Sequence, residues 1–420
     1  MTRPETSTRP FPYVALFAVA VAVFLSVTIE MLPTGLLTPM SEELGVSTSL
    51  IGLTVSVFAF TVVLTSTGLT HLTRRFNRHT LVVTVLVVLA ISTILTAIAP
   101  NYAMLVVSRI VGGLAHGVFW AVVGAYSAYL VPKEQIGRAV SISLGGGSLA
   151  FVLGVPLGTA LGQAVGWRGA FAVLAGLTLL GAFLVYKLLP RVAAGADTPT
   201  DSVTTVTSAT GSVTVVETPS RAPRPEQSVL GVVAVCLVTA VVMIGHYAFY
   251  TYVEPFITGP MGLPHVGVSP TLFGYGVAGV VSLVLVATIF SGRPRTGLII
   301  ALASVLLLTV GLATTPAVLP VSLTLFVVWG LAFGLIPPLL QTRILHVAPA
   351  RIRDTASAFY TTAFNTGIGG GALLGAVALQ HVGIAMLPAI TGGLMALALL
   401  LVVASDAVLA RRQPRRVVEH

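Results

Sequence analysis

Apolar residues along this chain fall in runs of about 20, separated by short polar segments. A helix of that length crosses the hydrocarbon core of a bilayer and satisfies its backbone hydrogen bonds internally, as lipid requires. Strands of a membrane barrel would be shorter and would alternate in polarity. The pattern therefore predicts an all-α membrane protein with twelve transmembrane helices, spans 1 to 12, near residues 11–36, 48–70, 79–99, 102–130, 138–163, 168–189, 229–256, 270–290, 296–314, 318–346, 354–380 and 384–409.

The second half of the sequence repeats the first. Gly113-Leu-Ala-His-Gly117 returns as Gly330-Leu-Ala-Phe-Gly334 at an offset of 217 residues, and Gly45-Val-Ser47 returns as Gly267-Val-Ser269 at an offset of 222. A small change of offset across loops is expected for two copies of one unit. In an apolar chain, such a duplication is typical of a transporter whose halves move about a central site.

The duplication predicts two six-helix pseudo-repeats, at 1–190 and 228–420. Between them, residues 191–227 are rich in Thr, Ser, Val and Pro and contain no aromatic residue. Such a segment cannot bury enough apolar surface to fold alone. We therefore predict a flexible cytoplasmic linker, for which a passive tether is favoured over a regulatory role.

The composition is also that of a protein embedded in a membrane, since 55% of the residues are hydrophobic and 8% are charged, against roughly 25% charged in soluble domains. The single cysteine, Cys236, excludes an intramolecular disulfide and a cysteine-cluster metal site. The apolar segment Pro12–Val27 has no small-residue cleavage site after it and is interpreted as span 1 rather than as a signal peptide.

Basic residues predict the orientation. If the N-terminus is cytoplasmic, nearly all of them lie in cytoplasmic segments, and Arg168 stands alone in an outer loop. The positive-inside rule then places both termini in the cytoplasm of a multi-pass protein of the inner (cytoplasmic) membrane. The pI of about 10.1 is accounted for by short loops facing anionic lipid, so it does not indicate a nucleic-acid partner.

Six segments of the chain together carry a resemblance to a known family. They are Glu30-Met-Leu-Pro-Thr-Gly-Leu-Leu, Gly68-Leu-Thr-His-Leu-Thr-Arg-Arg-Phe-Asn-Arg78, Arg109-Ile-Val-Gly-Gly, Gly154-Val-Pro-Leu-Gly158, Gln341-Thr-Arg-Ile-Leu-His-Val-Ala-Pro349 and Asn365-Thr-Gly-Ile-Gly. These segments resemble the major facilitator superfamily, and within it the twelve-span bacterial drug:proton antiporters, a branch that includes exporters of sugars, nucleosides and antibiotics. The resemblance covers nearly the whole chain and implies alternating access in a major facilitator fold.

The loop between spans 2 and 3 matches the family at Gly68, Arg74, Arg75 and Arg78, which the resemblance assigns to gating. Topology alone also explains basic residues in a cytoplasmic loop. His71 stands where the family usually has an Asp, so the gating interaction is altered or is carried by other groups.

In span 5, Gly154 and Gly158 form a Gly-x-x-x-Gly face, which predicts close approach of a neighbouring helix. Pro156 removes one backbone hydrogen bond and so permits a bend. Val155 departs from the family's antiporter motif, and glycine-rich packing is common in bundles, so this segment favours antiport over symport only weakly.

Ionisable residues inside spans are costly and point to function. Glu30 and Arg109 both lie roughly 10 Å below the outer surface, taking 1.5 Å per residue, and His116 lies two turns deeper on the face of span 4 that carries Arg109. We predict that these three residues carry proton coupling, with Glu30 as the carrier and Arg109 setting its proton affinity. The alternatives are a fixed ion pair that joins two helices and a histidine that serves only packing.

The repeat places Tyr252, Phe326 and Phe333 at the positions equivalent to Glu30, Arg109 and His116. Proton chemistry is therefore expected in the N-terminal half. In the C-terminal half, aromatic and amide side chains are suited to an amphipathic solute. We predict that Tyr250, Tyr252 and Asn365 line the substrate cavity, and that Glu254 is solvated and passive.

No enzyme is predicted, because the chain lacks a phosphate-binding Gly-x-x-x-x-Gly-Lys motif and its glycines lie within spans. No cofactor or metal is expected. The predicted partners are a small-molecule substrate, protons and the bilayer, and the expected state is a monomer. Proton-coupled export is favoured by the resemblance. Proton-coupled nutrient uptake and a transporter-shaped sensor are the alternatives, and the sensor would need a folded cytoplasmic appendage.

Overall fold

The computed structural model describes residues 11–73, 75–132, 135–190 and 228–411, and these are helical, with no strand among them. Arg74 and the predicted linker 191–227 lie outside the described residues. The spans of the first half are Tyr13–Met31, Thr48–Thr73, Arg78–Ala97, Tyr102–Tyr129 and the continuous stretch Ile136–Leu188. Those of the second half are Val229–Tyr250, His265–Phe290, Pro294–Thr314, Leu319–Val347, Arg353–His381 and Leu387–Arg411.

Spans 5 and 6 form one stretch of 53 residues, Ile136–Leu188, so the described residues contain 11 separate membrane-length stretches. Gly166 breaks this stretch, with φ 82° and ψ 154°. Glycine reaches this region of φ without the strain that a Cβ would bring. The break divides the stretch into two crossings and gives the twelve-helix fold that the apolar runs predict.

Polar side chains fix where several spans begin. Asn77 accepts a hydrogen bond from His79 N, Asn101 from Met104 N and Ser228 from Gly231 N. Each satisfies a backbone donor that the first turn of a helix cannot pair.

The first helix of each half ends earlier than the apolar pattern predicts. Span 1 ends at Met31 and is followed by the 3₁₀ turn Leu32–Gly35 and the helix Leu37–Leu44. Span 7 ends at Tyr250, and the chain continues in a separate helix, Val253–Thr258. Pro33 and Pro255, equivalent in the repeat, explain both breaks, because proline cannot donate the hydrogen bond that would continue the helix. Hydropathy cannot detect this, since the residues beyond each break are still apolar.

The repeated Gly-Leu-Ala-x-Gly motif brings the fourth helix of each half onto the second. A Cβ on Gly113 would lie 2.9 Å from Phe58 O in span 2, and one on Gly330 would lie 2.4 Å from Tyr275 O in span 8. Any side chain at these positions would push the helices apart. The repeat in the sequence is therefore a repeated helix contact.

Gly154 and Gly158 likewise pack span 5 on span 1, where added Cβ atoms would lie 2.0 Å from Thr28 Oγ1 and 2.8 Å from Leu32 Cδ1. Pro156 follows the π-helical turn Ala150–Gly154, and its carbonyl accepts a hydrogen bond of 2.8 Å from Ser269 in span 8. Gly68 differs: among the described residues, no heavy atom of another helix lies within 4 Å of its Cβ position. Its role in gating stays a prediction.

We call the side of the molecule with Arg75, Arg138 and Lys187 the basic end, and the side with Gly45 and Arg168 the far end. Spans 2 and 11 form one contact between the halves, and spans 5 and 8 form the other. Hydrogen bonds join the halves on the far-end side at Thr38–Glu254, Gln163–His265, Pro156–Ser269 and Ser56–Gly369.

Towards the basic end, the same interface helices become exposed. Leu64 of span 2 is 80% exposed and Phe359 of span 11 is 59% exposed. In contrast, Phe58 and Ile368, which lie nearer the far end on the same two helices, are fully buried. The two halves are therefore closed against each other at the far end.

Candidate functional site

Glu30 and His116 meet in the core of the first half. The Nε2 atom of His116 lies 3.4 Å from Glu30 Oε2, and both side chains are almost fully buried. Ser26, one turn from Glu30 on the same face of span 1, lies 2.8 Å from His116 Nδ1 through its Oγ. One imidazole thus contacts two successive turns of span 1 and has a carboxylate on one nitrogen and a hydroxyl on the other.

Arg109 reaches the same region but binds the backbone. Its guanidinium donates hydrogen bonds of 3.1 Å to Ile29 O and 2.7 Å to Glu30 O. Ile29 O would accept from residue 33 in a continuous helix, yet Pro33 has no N–H. Arg109 therefore satisfies carbonyls left unpaired where span 1 ends. The guanidinium also lies 4.4 Å from the centre of the Phe58 ring, within the range of a cation–π contact.

The carboxylate of Glu30 receives no hydrogen bond from the described residues. Its surroundings are Arg109 on its own backbone carbonyl, His116 at its Oε2, and the rings of Phe58 and Trp120 around His116. A buried carboxyl beside an imidazole is an arrangement that can accept and release a proton. The structure thus brings together the three residues for which the sequence predicts proton coupling.

A cavity of about 70 Å³ lies beside the second half, close to the boundary with span 5. Ligand sites for drug-sized molecules measure about 300–1,000 Å³, so the cavity is contracted in this conformation. Its walls include no Asp, Glu, Lys or Arg among the residues described. They are Ser148, Phe151, His246, Tyr247, Tyr275, Gly276, Gly279, Val280, Leu283, Gly330, Phe333, Gly334, Pro337, Pro338 and Phe364.

His246 stands at the centre of a cluster of aromatic rings. The Phe333 ring is parallel to it at 3.4 Å and 6°, and the Tyr250 ring is stacked at 5.1 Å and 20°. Trp329 lies 5.1 Å from His246, and Tyr275 lies 5.1 Å from Trp329. His246 Nδ1, Tyr275 Oη and Trp329 Nε1 are buried without a hydrogen-bond partner among the described residues.

Of the three residues predicted to line the cavity, Tyr250 is buried directly behind its wall and faces Phe151 at 6.2 Å between ring centres. Tyr252 is elsewhere: its hydroxyl donates to Ala372 O at 2.8 Å, and its ring fills the space beside Gly52 and Gly375 at the far end. The prediction that Tyr252 lines this cavity is therefore wrong. The cause is the early end of span 7, which puts Tyr252 beyond the last turn of that helix.

Asn365 also does not line this cavity. Its amide donates to Thr361 O of its own helix at 3.0 Å, whereas the neighbouring Phe364 lines the cavity. Three of the aromatic residues that line the cavity, Phe151, Tyr275 and Phe333, were not selected from the sequence. Periodicity could not reveal them, because the helix faces that look inward are decided by packing.

Glu254 is buried, and the expectation of a solvated side chain is wrong. Its Oε2 accepts hydrogen bonds from Thr38 N at 3.0 Å and Thr38 Oγ1 at 2.7 Å, and its Oε1 lies 3.3 Å from His265 Nδ1. Burial raises the pKa of this carboxyl, and the bonds from Thr38 and the nearby His265 act in the opposite direction. Glu254 joins the second half to the first at the far end.

Of the loop residues assigned to gating, Arg75 lies over the ring of Phe76 at 5.6 Å, and Arg78 begins span 3. Arg74 lies outside the described residues. Among the residues described, no group of three or more His, Cys, Asp and Glu side chains is placed to hold a metal ion.

The family model described as the Major Facilitator Superfamily matches residues 19–372. The chain belongs to this superfamily. It is a membrane transporter and not an enzyme.

Curated relatives match over almost their whole length. A probable sugar efflux transporter of Mannheimia succiniciproducens is 31% identical over 376 residues, which is 89% of each chain. A chloramphenicol efflux pump of Mycobacterium tuberculosis is 32% identical over 413 residues, 95% of each chain. A crystal structure of a bacterial homolog of the human lysosomal transporter Spinster, inward-facing and occupied, aligns with a TM-score of 0.69. It covers 97% of this chain and 98% of its own at 15% identity, so this similarity concerns the fold alone.

Proposed function

We propose that this transporter exports a small, uncharged or amphipathic organic molecule in exchange for protons, with the basic end in the cytoplasm. The names of the curated relatives support efflux. The division of side chains between the halves supports the coupling, because the buried carboxylate, guanidinium and imidazole lie in the first half and the aromatic cavity in the second.

The observation that carries the proposal is the buried contact between Glu30 and His116. A carboxylate without a hydrogen-bond donor is expensive to keep charged inside a membrane protein. A proton removes that cost when it binds Glu30, and the adjoining imidazole offers a route by which it can leave. Arg109 holds the end of span 1 in place and adds a positive charge nearby, so it positions the carrier and sets its proton affinity.

The cavity gives the proton site a way to sense cargo. Ser148 and Phe151 of span 5 line the cavity, and span 5 packs on span 1, which carries Glu30. A solute that enters between the halves therefore changes the surroundings of Glu30, and a proton at Glu30 changes those of the cavity. Such reciprocity is what exchange requires.

Closure at the far end and exposure of spans 2 and 11 at the basic end correspond to an inward-facing state of the alternating-access cycle. Both termini are then cytoplasmic and the membrane is the inner (cytoplasmic) membrane. We propose a monomer as the working unit, because one chain contains both the proton site and the cavity.

The test uses inverted vesicles, an imposed pH gradient and a panel of solutes that includes chloramphenicol and simple sugars. We expect at least one solute to release protons from vesicles with the wild-type protein, and Glu30→Gln to abolish that release. Glu43→Gln, at a far-end carboxyl that is 50% exposed, is the matched control and should behave as wild type. If Glu30→Gln keeps full exchange with an unchanged pH profile, the proton path lies elsewhere, and His116 is the next residue to replace.

A further inference from the structure

The aromatic cluster of the second half contains polar atoms that the fold does not use. His246 Nδ1 and Tyr275 Oη are buried beside the cavity without a partner among the described residues, and Trp329 Nε1 is buried next to them. Leaving such groups unpaired costs free energy. Three atoms with this property in one cluster, against the wall of one cavity, mark a place where a solute supplies the missing partners.

The charges around the cavity narrow the class of solute. No Asp, Glu, Lys or Arg side chain lines it among the described residues, so a strongly ionic solute would lose its hydration without a fixed counter-charge. The unpaired indole N–H can only donate, and the phenol hydroxyl donates readily. These donors call for acceptor oxygens on the solute rather than for an ammonium group.

The aromatic rings stacked on His246 indicate the shape of the solute. His246 is held between two rings, and the Phe333 ring on the cavity side is parallel to it at 3.4 Å. Phe333 lines the cavity, whereas Tyr250 on the opposite side is almost fully buried. A flat ring from a solute can replace Phe333 in this stack if the Phe333 side chain rotates away, which also enlarges the contracted cavity.

We propose that the cargo is an uncharged molecule with a flat ring and acceptor oxygens, which stacks on His246 in place of Phe333 and accepts hydrogen bonds from the Tyr275–Trp329 cluster. This inference rests on the proposed transport function and names its cargo class. Phe333 then serves as an internal substitute for the cargo ring when the site is vacant.

The experiment measures equilibrium binding to the purified protein in nanodiscs. The probes are chloramphenicol and p-nitrophenyl glucoside, both uncharged nitroaromatics, with the tetraphenylphosphonium cation for comparison. We expect the wild-type protein to bind an uncharged probe more tightly than the cation. Tyr275→Phe keeps the ring and removes the hydroxyl donor, so it should weaken binding of that probe about tenfold, the effect of one hydrogen bond. Phe333→Ala should bind it at least as tightly as wild type.

A second experiment fills the cavity by replacing a glycine with leucine and compares this variant with a second glycine-to-leucine variant. Gly279 lines the cavity, and the nearest heavy atom to its Cβ position from another described helix is Gly330 O at 3.9 Å. Gly279→Leu should therefore fold and abolish binding by filling the cavity. Gly393 has no neighbour from another described helix within 4 Å of its Cβ position and lies on the exposed side of span 12, so Gly393→Leu is the matched control and should bind as wild type.

The proposal is overturned if the wild-type protein binds neither uncharged probe, if the cation binds more tightly, if Gly279→Leu binds as Gly393→Leu does, or if Phe333→Ala loses binding. Failure of the transport mechanism is distinguishable, because Glu30→Gln removes the proton and not the cargo site, so this variant should still bind the uncharged probe, with an affinity that no longer depends on protonation of residue 30. Normal binding without proton exchange in the vesicle assay would contradict the proton coupling and leave this cargo site in place.

Discussion

The carboxylate of Glu30 lies 3.4 Å from His116 Nε2, while Arg109 binds the carbonyl of Glu30 and not its carboxylate. Arg109 and His116 therefore act on different parts of Glu30. His116 contacts the atom that would carry the proton. Arg109 secures the backbone from which that atom extends.

Arg109→Lys should lower stability, because a lysine cannot present two donors in the fixed geometry that pairs Ile29 O and Glu30 O. We expect a loss of about 1–3 kcal/mol for a buried acceptor left unpaired, measured by thermal unfolding in detergent. Arg168 also donates to two carbonyls, at Ala97 and Ala99, but is 32% exposed. Arg168→Lys is therefore the control and should lose less. Equal losses of stability in the two variants would show that the burial of Arg109 does not determine the effect of the substitution.

Gly154→Leu should prevent normal packing of span 5 on span 1 and stop transport, because the added Cβ would lie 2.0 Å from Thr28 Oγ1 and 3.1 Å from Thr28 Cβ. Gly158→Leu should act in the same direction but less strongly, since its first obstacle is the flexible end of Leu32. Gly176 has no neighbour within 4 Å of its Cβ position, so Gly176→Leu should transport normally. Membrane insertion and uptake into inverted vesicles are the measurements. Normal transport by Gly154→Leu would contradict the packing seen here.

The far-end contact should weaken as pH rises. Burial raises the pKa of Glu254 in the closed state. Glu254 therefore binds a proton more tightly when the far end is closed than when it is open and the carboxyl is solvated. The stabilisation from this proton is complete below the ordinary glutamate pKa of about 4.3 and is lost as pH rises through the raised value. Glu254→Gln should keep the far end closed with less dependence on pH.

This is measured by labelling Gln163→Cys with a membrane-impermeant maleimide, in a background where the native Cys236 is replaced by Ser. Gln163 bonds His265 O across the same contact. Because maleimide reacts with the thiolate, whose fraction rises with pH, the labelling rate is divided at each pH by that of the same cysteine in the Glu254→Gln protein, and this ratio reports opening. His265 is 58% exposed and faces Glu254, and His265→Asn tests whether the imidazole contributes to the response. A ratio that falls as pH rises would contradict the prediction.

The orientation is tested with reporters. A fusion within 191–227 should report the cytoplasm, and an insertion at Thr315, at the end of span 9, should report the exterior. A periplasmic signal from 191–227 would overturn the proposed orientation or the six spans that precede this segment.

The sequence determines the twelve helices and their duplication, because the length of an apolar run and the lack of backbone partners in lipid leave a chain segment few alternatives to a helix. It also identifies Glu30, Arg109 and His116, since ionisable residues are conspicuous in apolar spans. Their meeting follows from depth and helix face, which can be counted along the chain. The glycine motifs predict close contact for the same local reason.

The tertiary structure decides which face of each helix points inward and where the helices are interrupted. The ends of spans 1 and 7 at Pro33 and Pro255 move Tyr252 out of the cavity and bury Glu254, although the surrounding residues remain apolar in the sequence. Which helix face looks inward is set by the packing of neighbouring helices, so the ring stack on His246 has no signature along the chain. In lipid an outward and an inward apolar face have similar composition, and only the packed structure separates them.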